Sequence, residues 1–383
     1  MELKKYKLGD LLQVTRGASL SGEYYATQGN YIRLTCGNFD YRNNCFKENQ
    51  SKDNIYYVGD FKEEFLLEKG DIITPLTEQA IGLLGSTARI PESGKYIQSQ
   101  DIAKIDCNEN LLDKDFAFYL ISSACVKQQL SAAAQQTKIR HTSPDKIKEC
   151  TVWIPSLDIQ KRIGRILTDI DNKIAINRQI NDNLEEQLRL ITSHYIFCSP
   201  NLEKKRIGEI ATVKAGGDCP IIFSKTRTQE CNIPIFSNGT ENRGLYGFTD
   251  KATIEEHSIT VAARGTIGYC ERRLKPFVPI IRLLAITPKD EGAYIYLHQV
   301  FKGMKFKKNG SVQQQLTVPE ISFIEIPYPN YSVLSEYNKV VSPIVEMIER
   351  NISENESLTK QRDELLPLLM NGQASVNYHL SDD

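Results

Sequence analysis

Between Leu157 and Ile191 one face of the chain recurs at alternating steps of four and three. Its positions are Ile163, Leu167, Ile170, Ile174, Asn177, Asn181, Leu184, Leu188 and Ile191. This is the a/d pattern of a helix built to lie along another helix. A long helix with such a seam is unstable alone in water, so it needs a partner. The same spacing returns at Tyr337, Val341, Ile344, Ile348, Asn351, Asn355, Leu358, Arg362 and Leu365. At about 1.5 Å per residue, helices of about 35 to 40 residues span roughly 50 to 60 Å.

Each helix follows a domain-sized segment, and the two segments share an order of features. KLGDLLQVTR at 7–16 resembles KRIGEIATVK at 205–214. Short β-type runs follow, near 31–35, 55–58, 71–74 and 100–106 in the first segment and near 233–236, 258–262 and 278–287 in the second. Helical runs are expected at 116–130 and 294–305. Each segment then closes with a Gln-rich stretch, a Thr-x-Pro element, an apolar strand and an Ile-Pro exit. In this reading Thr142-Ser143-Pro144 matches Thr317-Val318-Pro319, and Ile154-Pro155 matches Ile326-Pro327. The fold class expected is therefore mixed α/β (α+β), a tandem duplication of globular domain plus helix. The boundaries are 1–155, 156–200, 201–328 and 329–375.

The two helices are expected to pair with each other. Asparagines near both midpoints fit either direction, because amide–amide bonds would satisfy groups costly to bury. Connectivity favours an antiparallel coiled coil with a pseudo-twofold, since a compact domain can return the chain to the opposite end. Two similar modules held about 50 Å apart suit a surface that repeats every one to two turns of B-DNA, at roughly 34 to 36 Å per turn. A helical scaffold joining domains of other function fits the same geometry, so a coiled-coil adaptor between proteins remains open at this point.

Composition narrows the classes. The 383 residues carry a formal net charge of −1, but 201–326 holds 18 basic against 13 acidic residues and 327–383 holds 4 against 9. A basic segment is compatible with nucleic acid and an acidic helix with a protein partner. Nine cysteines form no Cys-x-x-Cys pair and no zinc-type cluster, so reduced intracellular thiols and no metal site are expected. The charged N-terminus leads into no signal-like apolar run, and the apolar stretch 277–286 carries Arg282. A soluble, cytoplasmic protein with no membrane association is expected. No G-x-x-x-x-G-K-[ST] loop and no Asn-Pro-Pro-Tyr or Asp-Pro-Pro-Tyr element occurs, which argues against a self-contained enzyme.

LGDLLQVTRG at 8–17, LEKGDIIT at 67–74, QQTKIRHTSP, VQQQLTVPE, IPSLDIQKRI at 154–163 and RDELLPLLMNG at 362–372 together resemble the specificity subunit of Type I restriction-modification systems. The likeness runs over essentially the whole chain. It implies two tandem target recognition domains, each followed by a conserved coiled-coil helix. It also implies a non-catalytic, cofactor-free chain that reads a bipartite, asymmetric sequence in double-stranded DNA, one half-site per domain. The implied partners are two copies of an adenine-N6 methyltransferase subunit and the ATP-driven motor-nuclease subunits. The nearest alternative is the recognition subunit of a bifunctional restriction-methylation enzyme outside Type I.

Within that frame, side chains able to grip phosphates or read base edges define candidate contacts. In the first domain these are Thr15, Arg16, Arg33, Asn38, Arg42, Asn43, Asn44, Thr77, Gln79, Gln135, Gln136, Lys138, Arg140 and His141. In the second they are Lys214, Lys225, Arg227, Asn238, Asn242, Arg243, Arg264, Arg272, Arg273, Gln313 and Gln314. Arg243 and Arg264 lead because neighbouring glycines let the backbone approach a ligand closely. Glu346, Glu349, Glu354, Glu356 and Asp363 form an acidic face of the terminal helix, which fits either a docking surface for the methyltransferase subunit or a merely solvated helix face.

Overall fold

A computed structural model describes residues 2–41, 43–49, 53–78, 82–133, 140–198, 202–306 and 315–374, with the side chains of 196–198 set aside. The chain divides into two compact units: Met1–Ile176 with Glu354–Asp383, and Asn177–Ser353. Each unit thus takes one globular segment and about half of each long helix, Leu157–Cys198 and Tyr331–Met370.

Unit 1 is built on an antiparallel sheet in the order Ala88–Arg89, Ile72–Pro75, Ile102–Cys107, Leu12–Arg16. A second small sheet contains Tyr31–Arg33 and Tyr96–Ile97, which run parallel. The helical run expected at 116–130 is two helices, Lys114–Ile121 and Ala124–Ala133. Asp113 caps the first by accepting from the Phe116 amide at 2.9 Å. Leu11, Ile72, Ile105 and Phe116 share one core cluster with Ile163, Leu167 and Leu369 of the long helices. The helix seam and the domain interior are therefore one apolar body, which supplies the burial that an isolated helix lacks.

Unit 2 repeats this plan. Its sheet runs Ala211–Ala215, Leu284–Pro288, Ser258–Val261, Cys270–Arg273, all antiparallel. Ile233–Phe236 pairs in parallel with Val278–Pro279, as Tyr31–Arg33 does with Tyr96–Ile97. Ile286, Phe301, Leu188, Tyr337, Val341 and Ile348 lie in its core. The 278–287 run expected as one strand is broken, because Ile281 and Arg282 take φ of +53° and +62°.

Local devices are duplicated too. The Lys7 amide donates to the Asp10 carboxylate at 3.1 Å, and the Arg206 amide to the Glu209 carboxylate at 3.0 Å. Gly9 and Gly208 sit where a Cβ would crowd Lys148 and Ser322 at 3.1 and 3.2 Å. The domain exits, however, align differently from the sequence reading. Ser143 and Thr317 are the capping residues of the helices Pro144–Glu149 and Val318–Phe323. Ile154 pairs with Lys4, and Tyr328 pairs with Glu203. Ile154 therefore corresponds to Tyr328, not Ile326, and Pro155 to Pro329. Pro327 lies inside the second exit strand, whose two-stranded ladder tolerates a missing amide donor.

Both halves of the helix pair run antiparallel. In unit 1, Asp171 accepts from Arg362 at 2.9 Å, and the Asn355 amide donates to the Ile174 carbonyl at 3.4 Å. In unit 2, Thr192 and Tyr337 share a hydrogen bond of 2.8 Å. Asn351 donates to Asn181 at 2.8 Å, and Asn181 donates to the Ile348 carbonyl at 3.2 Å. The seam asparagines thus use backbone carbonyls as well as each other. Ile163, Leu167, Ile174, Asn177, Leu188, Val341 and Ile348 are buried, while Ile170, Asn181, Leu184, Ile344, Asn351, Asn355 and Leu358 are half-buried.

Candidate nucleic-acid interface

In both units one end of the main sheet gathers polar side chains. Registers make the two ends comparable. Ala103 pairs with both Thr74 and Arg16, and Leu284 pairs with both Val261 and Ala215. Three residues beyond Thr74 is Thr77; three beyond Val261 is Arg264. The returning Gln-rich stretch meets each at the same place: the Thr142 amide donates to the Leu76 carbonyl at 2.8 Å, and the Leu316 amide to the Ala263 carbonyl at 3.0 Å. Gly17 and Gly216 let the neighbouring strand end close against this region, since a Cβ would fall 2.3 Å from Gln98 O and 2.6 Å from Pro279 C.

Different side chains occupy the equivalent positions. In unit 1 the Thr77 hydroxyl lies 3.2 Å from Asp101 and 3.3 Å from His141 Nδ1. Arg140 pairs with Glu78 at 3.4 Å and donates to Ser131 at 3.0 Å. In unit 2, Arg264 donates from Nε at 3.0 Å and from Nη2 at 2.5 Å to Gln315 Oε1. That bond orients an exposed guanidinium. Asn238 braces the site from behind, accepting from the Ala263 amide at 2.8 Å and donating to the Ile281 carbonyl at 2.6 Å.

Several candidates are instead held inside the protein. Arg33 is 6% exposed, stacks 3.8 Å from the Tyr25 ring centroid and donates to the Asn54 carbonyl. Asn38 is buried and turns back on its own loop, bonded to the Thr35 amide and the Lys47 carbonyl. Asn238 is spent on the brace just described. Arg243 takes the left-handed conformation that its glycine neighbour suggested, with φ of +56°, but its guanidinium turns inward. It pairs with Glu271 at 2.7 Å and Glu349 at 3.2 Å. Burial opposes its charge, yet those two carboxylates more than offset this and hold it firmly protonated. Arg272 is buried against Glu185, Glu349 and His298, and Arg273 against Thr260, the Arg243 carbonyl and the Phe236 ring. Burial first, then Arg272, pushes the His298 imidazole well below its usual range, so it stays neutral and accepts from Arg272. Arg272 ties the sheet of unit 2 to both long helices and Arg243 ties its turn to one of them, while Arg273 is held within the globular segment; sequence cannot separate such residues from readers because both uses favour Arg.

Thr15, Arg16, His141, Lys214, Arg227 and Asn242 are exposed, as is Lys225, whose ammonium lies 4.0 Å from the Tyr246 ring centroid. Asn43 is bonded to Asp40, and Asn44 sits in a left-handed turn with φ of +48°. Arg42, Gln79, Gln135, Gln136, Lys138, Gln313 and Gln314 lie outside the described residues. On the acidic helix face Glu346 and Glu356 are exposed, Glu349 is engaged by Arg243 and Arg272, Glu354 pairs with Lys173 at 3.5 Å, and Asp363 with Arg362 at 2.8 Å. Arg282, which sequence placed only within an apolar run, joins the unit 2 end as an exposed residue. Among the described residues no group of His, Cys, Asp and Glu is assembled to hold a metal, and no helix is long and apolar enough to cross a membrane.

The model of the Type I restriction modification DNA specificity domain matches residues 1–186 and again 200–363. The chain belongs to this family. Both copies of the duplication are matched, so the two-unit plan is the family's domain taken twice. A Mycoplasma pneumoniae chain named as a type I specificity subunit is 24% identical over 356 residues, covering 90% of each chain. The specificity subunit of the Type I restriction enzyme HindI from Haemophilus influenzae is 24% identical over 464 residues, covering 97% of this chain and 99% of its own. The crystal structure of a Type I restriction-modification S subunit from M. genitalium superposes with a TM-score of 0.59 at 20% identity, over 97% of this chain and 96% of that one. That likeness supports the mixed α/β, tandemly duplicated fold. The chain is a Type I specificity subunit with DNA recognition domains.

Proposed function

We propose that each unit reads one half of a bipartite, asymmetric target in double-stranded DNA, with the end of its main sheet as the reading surface. The observation that carries this is the equivalent position at which the units differ: exposed His141 against the buried Thr77 in one, exposed Arg264 held by Gln315 in the other. A frame shared by the two units, with exchanged hydrogen-bonding side chains, is what two different half-sites require. Arg16, Lys214 and Arg227, all exposed, serve as phosphate contacts that set register. The chain itself is non-catalytic and needs no cofactor. It docks two copies of the adenine-N6 methyltransferase subunit, and the motor-nuclease subunits join that core.

The test is a map of methylated adenines in the host genome with and without this chain. A split motif that disappears on deletion is expected; an unchanged methylation map refutes the reading. With that motif as probe, Arg264→Ala is expected to weaken cognate binding about tenfold or more, within the range of one bidentate Arg–guanine contact. Because the side chain is exposed, its melting temperature should stay at the wild-type value.

A further inference from the structure

The two units differ in the backbone of one turn beside the proposed reading surface. In unit 1 the turn Ser99–Ile102 closes with the Ile102 amide donating to the Ser99 carbonyl at 3.0 Å; in unit 2, Ile280–Leu283 closes with Leu283 donating to Ile280 at 3.0 Å. The isolated bridges Ala18 with Ser99 and Gly217 with Ile280 place these turns at equivalent points. Their lengths match, but their backbones do not. Among the described residues the only positive-φ non-glycines are Asn44, Asn242, Arg243, Ile281 and Arg282, so the unit 1 turn is ordinary and the unit 2 turn is left-handed at both central positions.

Such a turn is normally built from Asn-Gly or Gly-Gly, because a Cβ in this region clashes with the backbone. A β-branched residue there is an outlier. Ile281 and Arg282 hold it only because surrounding bonds over-determine it. Ile281 donates to the Gly217 carbonyl at 2.9 Å, Arg282 to the Gly216 carbonyl at 3.1 Å, and Asn238 donates to the Ile281 carbonyl at 2.6 Å. The strain does not serve packing: Ile281 is 50% exposed and Arg282 is exposed. A chain that needed only a tight turn would fold better with glycine here. Strain kept where it presents two side chains to solvent is a mark of a binding element.

We propose that the Ile281–Arg282 turn is a specificity element of the second unit, with Arg282 donating to a guanine edge and Ile281 packing on an adjacent thymine methyl in the major groove. The inference rests on the DNA-reading role proposed above. Asn238 joins the turn to the Ala263 amide, next to Arg264, so the same local frame sets both arginines. The first unit has Gln100 and Asp101 at the matching turn, without the left-handed backbone, and Asp101 accepts from Thr77.

The experiment uses the full chain assembled with the methyltransferase subunit of its own system, and random-sequence DNA duplexes as probe. Wild type is expected to enrich a bipartite motif. Ile281→Gly and Arg282→Gly should melt at or above the wild-type temperature, since glycine relieves the turn. Both should lose at least tenfold of their base preference at one or two adjacent positions of a single half-site, the other half-site keeping its preference. Arg282→Ala, which keeps the strained backbone and removes the guanidinium, should lose the guanine preference alone. Unaltered motifs in all three variants overturn the inference, and so does a uniform loss of affinity with base preferences intact. Failure of wild type to enrich any motif overturns the DNA-reading role itself.

Discussion

Replacing Arg272 by Met tests whether the buried charges of unit 2 hold its sheet against its helices. Arg272 Nη2 lies 2.5 Å from Glu185, and Lys302 reaches the other carboxylate oxygen at 2.7 Å. Burial pushes the Glu185 carboxyl up, but Arg272 and Lys302 more than offset it and bring it down to about 2 from the usual 4.5. At about 1.4 kcal/mol per pH unit, that difference corresponds to about 3.5 kcal/mol of stability at neutral pH. A depressed carboxyl gives its full contribution above pH 4.5 and loses it as pH falls through about 2. Arg272→Met leaves Lys302 on Glu185 and should therefore cost at most about 3.5 kcal/mol at pH 7, near the range for breaking a buried pair, and at most roughly 1.5 kcal/mol at pH 3. Urea unfolding of the full chain followed by far-UV circular dichroism measures both; fluorescence does not serve, because the only tryptophan, Trp153, lies in unit 1. An equal cost at pH 7 and pH 3 would refute the electrostatic account and leave a packing defect in its place.

The seam asparagines give a second test. Asn181→Leu or Asn351→Leu alone leaves the other amide half-satisfied and should cost about 1 to 3 kcal/mol in thermal melts, while the double replacement should be near neutral; additive losses would count against the pairing. For the outer helix face, Glu346→Lys with Glu356→Lys changes two exposed carboxylates that the described contacts do not use for folding. Loss of methyltransferase co-purification at unchanged melting temperature is expected, and full co-purification would remove these residues from the docking surface.

Much of the architecture is legible because helix pairing and duplication leave periodic traces. The step patterns from Ile163 to Ile191 and from Tyr337 to Leu365 mark one face of each helix, and Leu167, Leu188 and Val341 on those faces are fully buried. The exits were harder to align because an Ile-Pro pair occurs in both copies, but the strand ladders, not the dipeptides, fix the equivalence of Ile154 with Tyr328. The candidate interface was only partly legible. Arg264 and His141 remain exposed, whereas Arg33, Arg243, Arg272 and Arg273 were drawn inward. One-dimensional sequence gives an arginine's chemistry but not the carboxylates that tertiary folding brings to it, such as Glu349 to Arg243 across 106 positions of chain.

Sequence alone determined the two helices, their seam, the duplicated mixed α/β plan and the family resemblance. These depend on local periodicity and on order along the chain. Tertiary structure decided which basic side chains are structural and which are presented, because burial and ion pairing depend on residues distant in sequence. It also decided the left-handed turn at Ile281 and Arg282, whose backbone is imposed by Gly216, Gly217 and Asn238 against the preference of the turn's own residues.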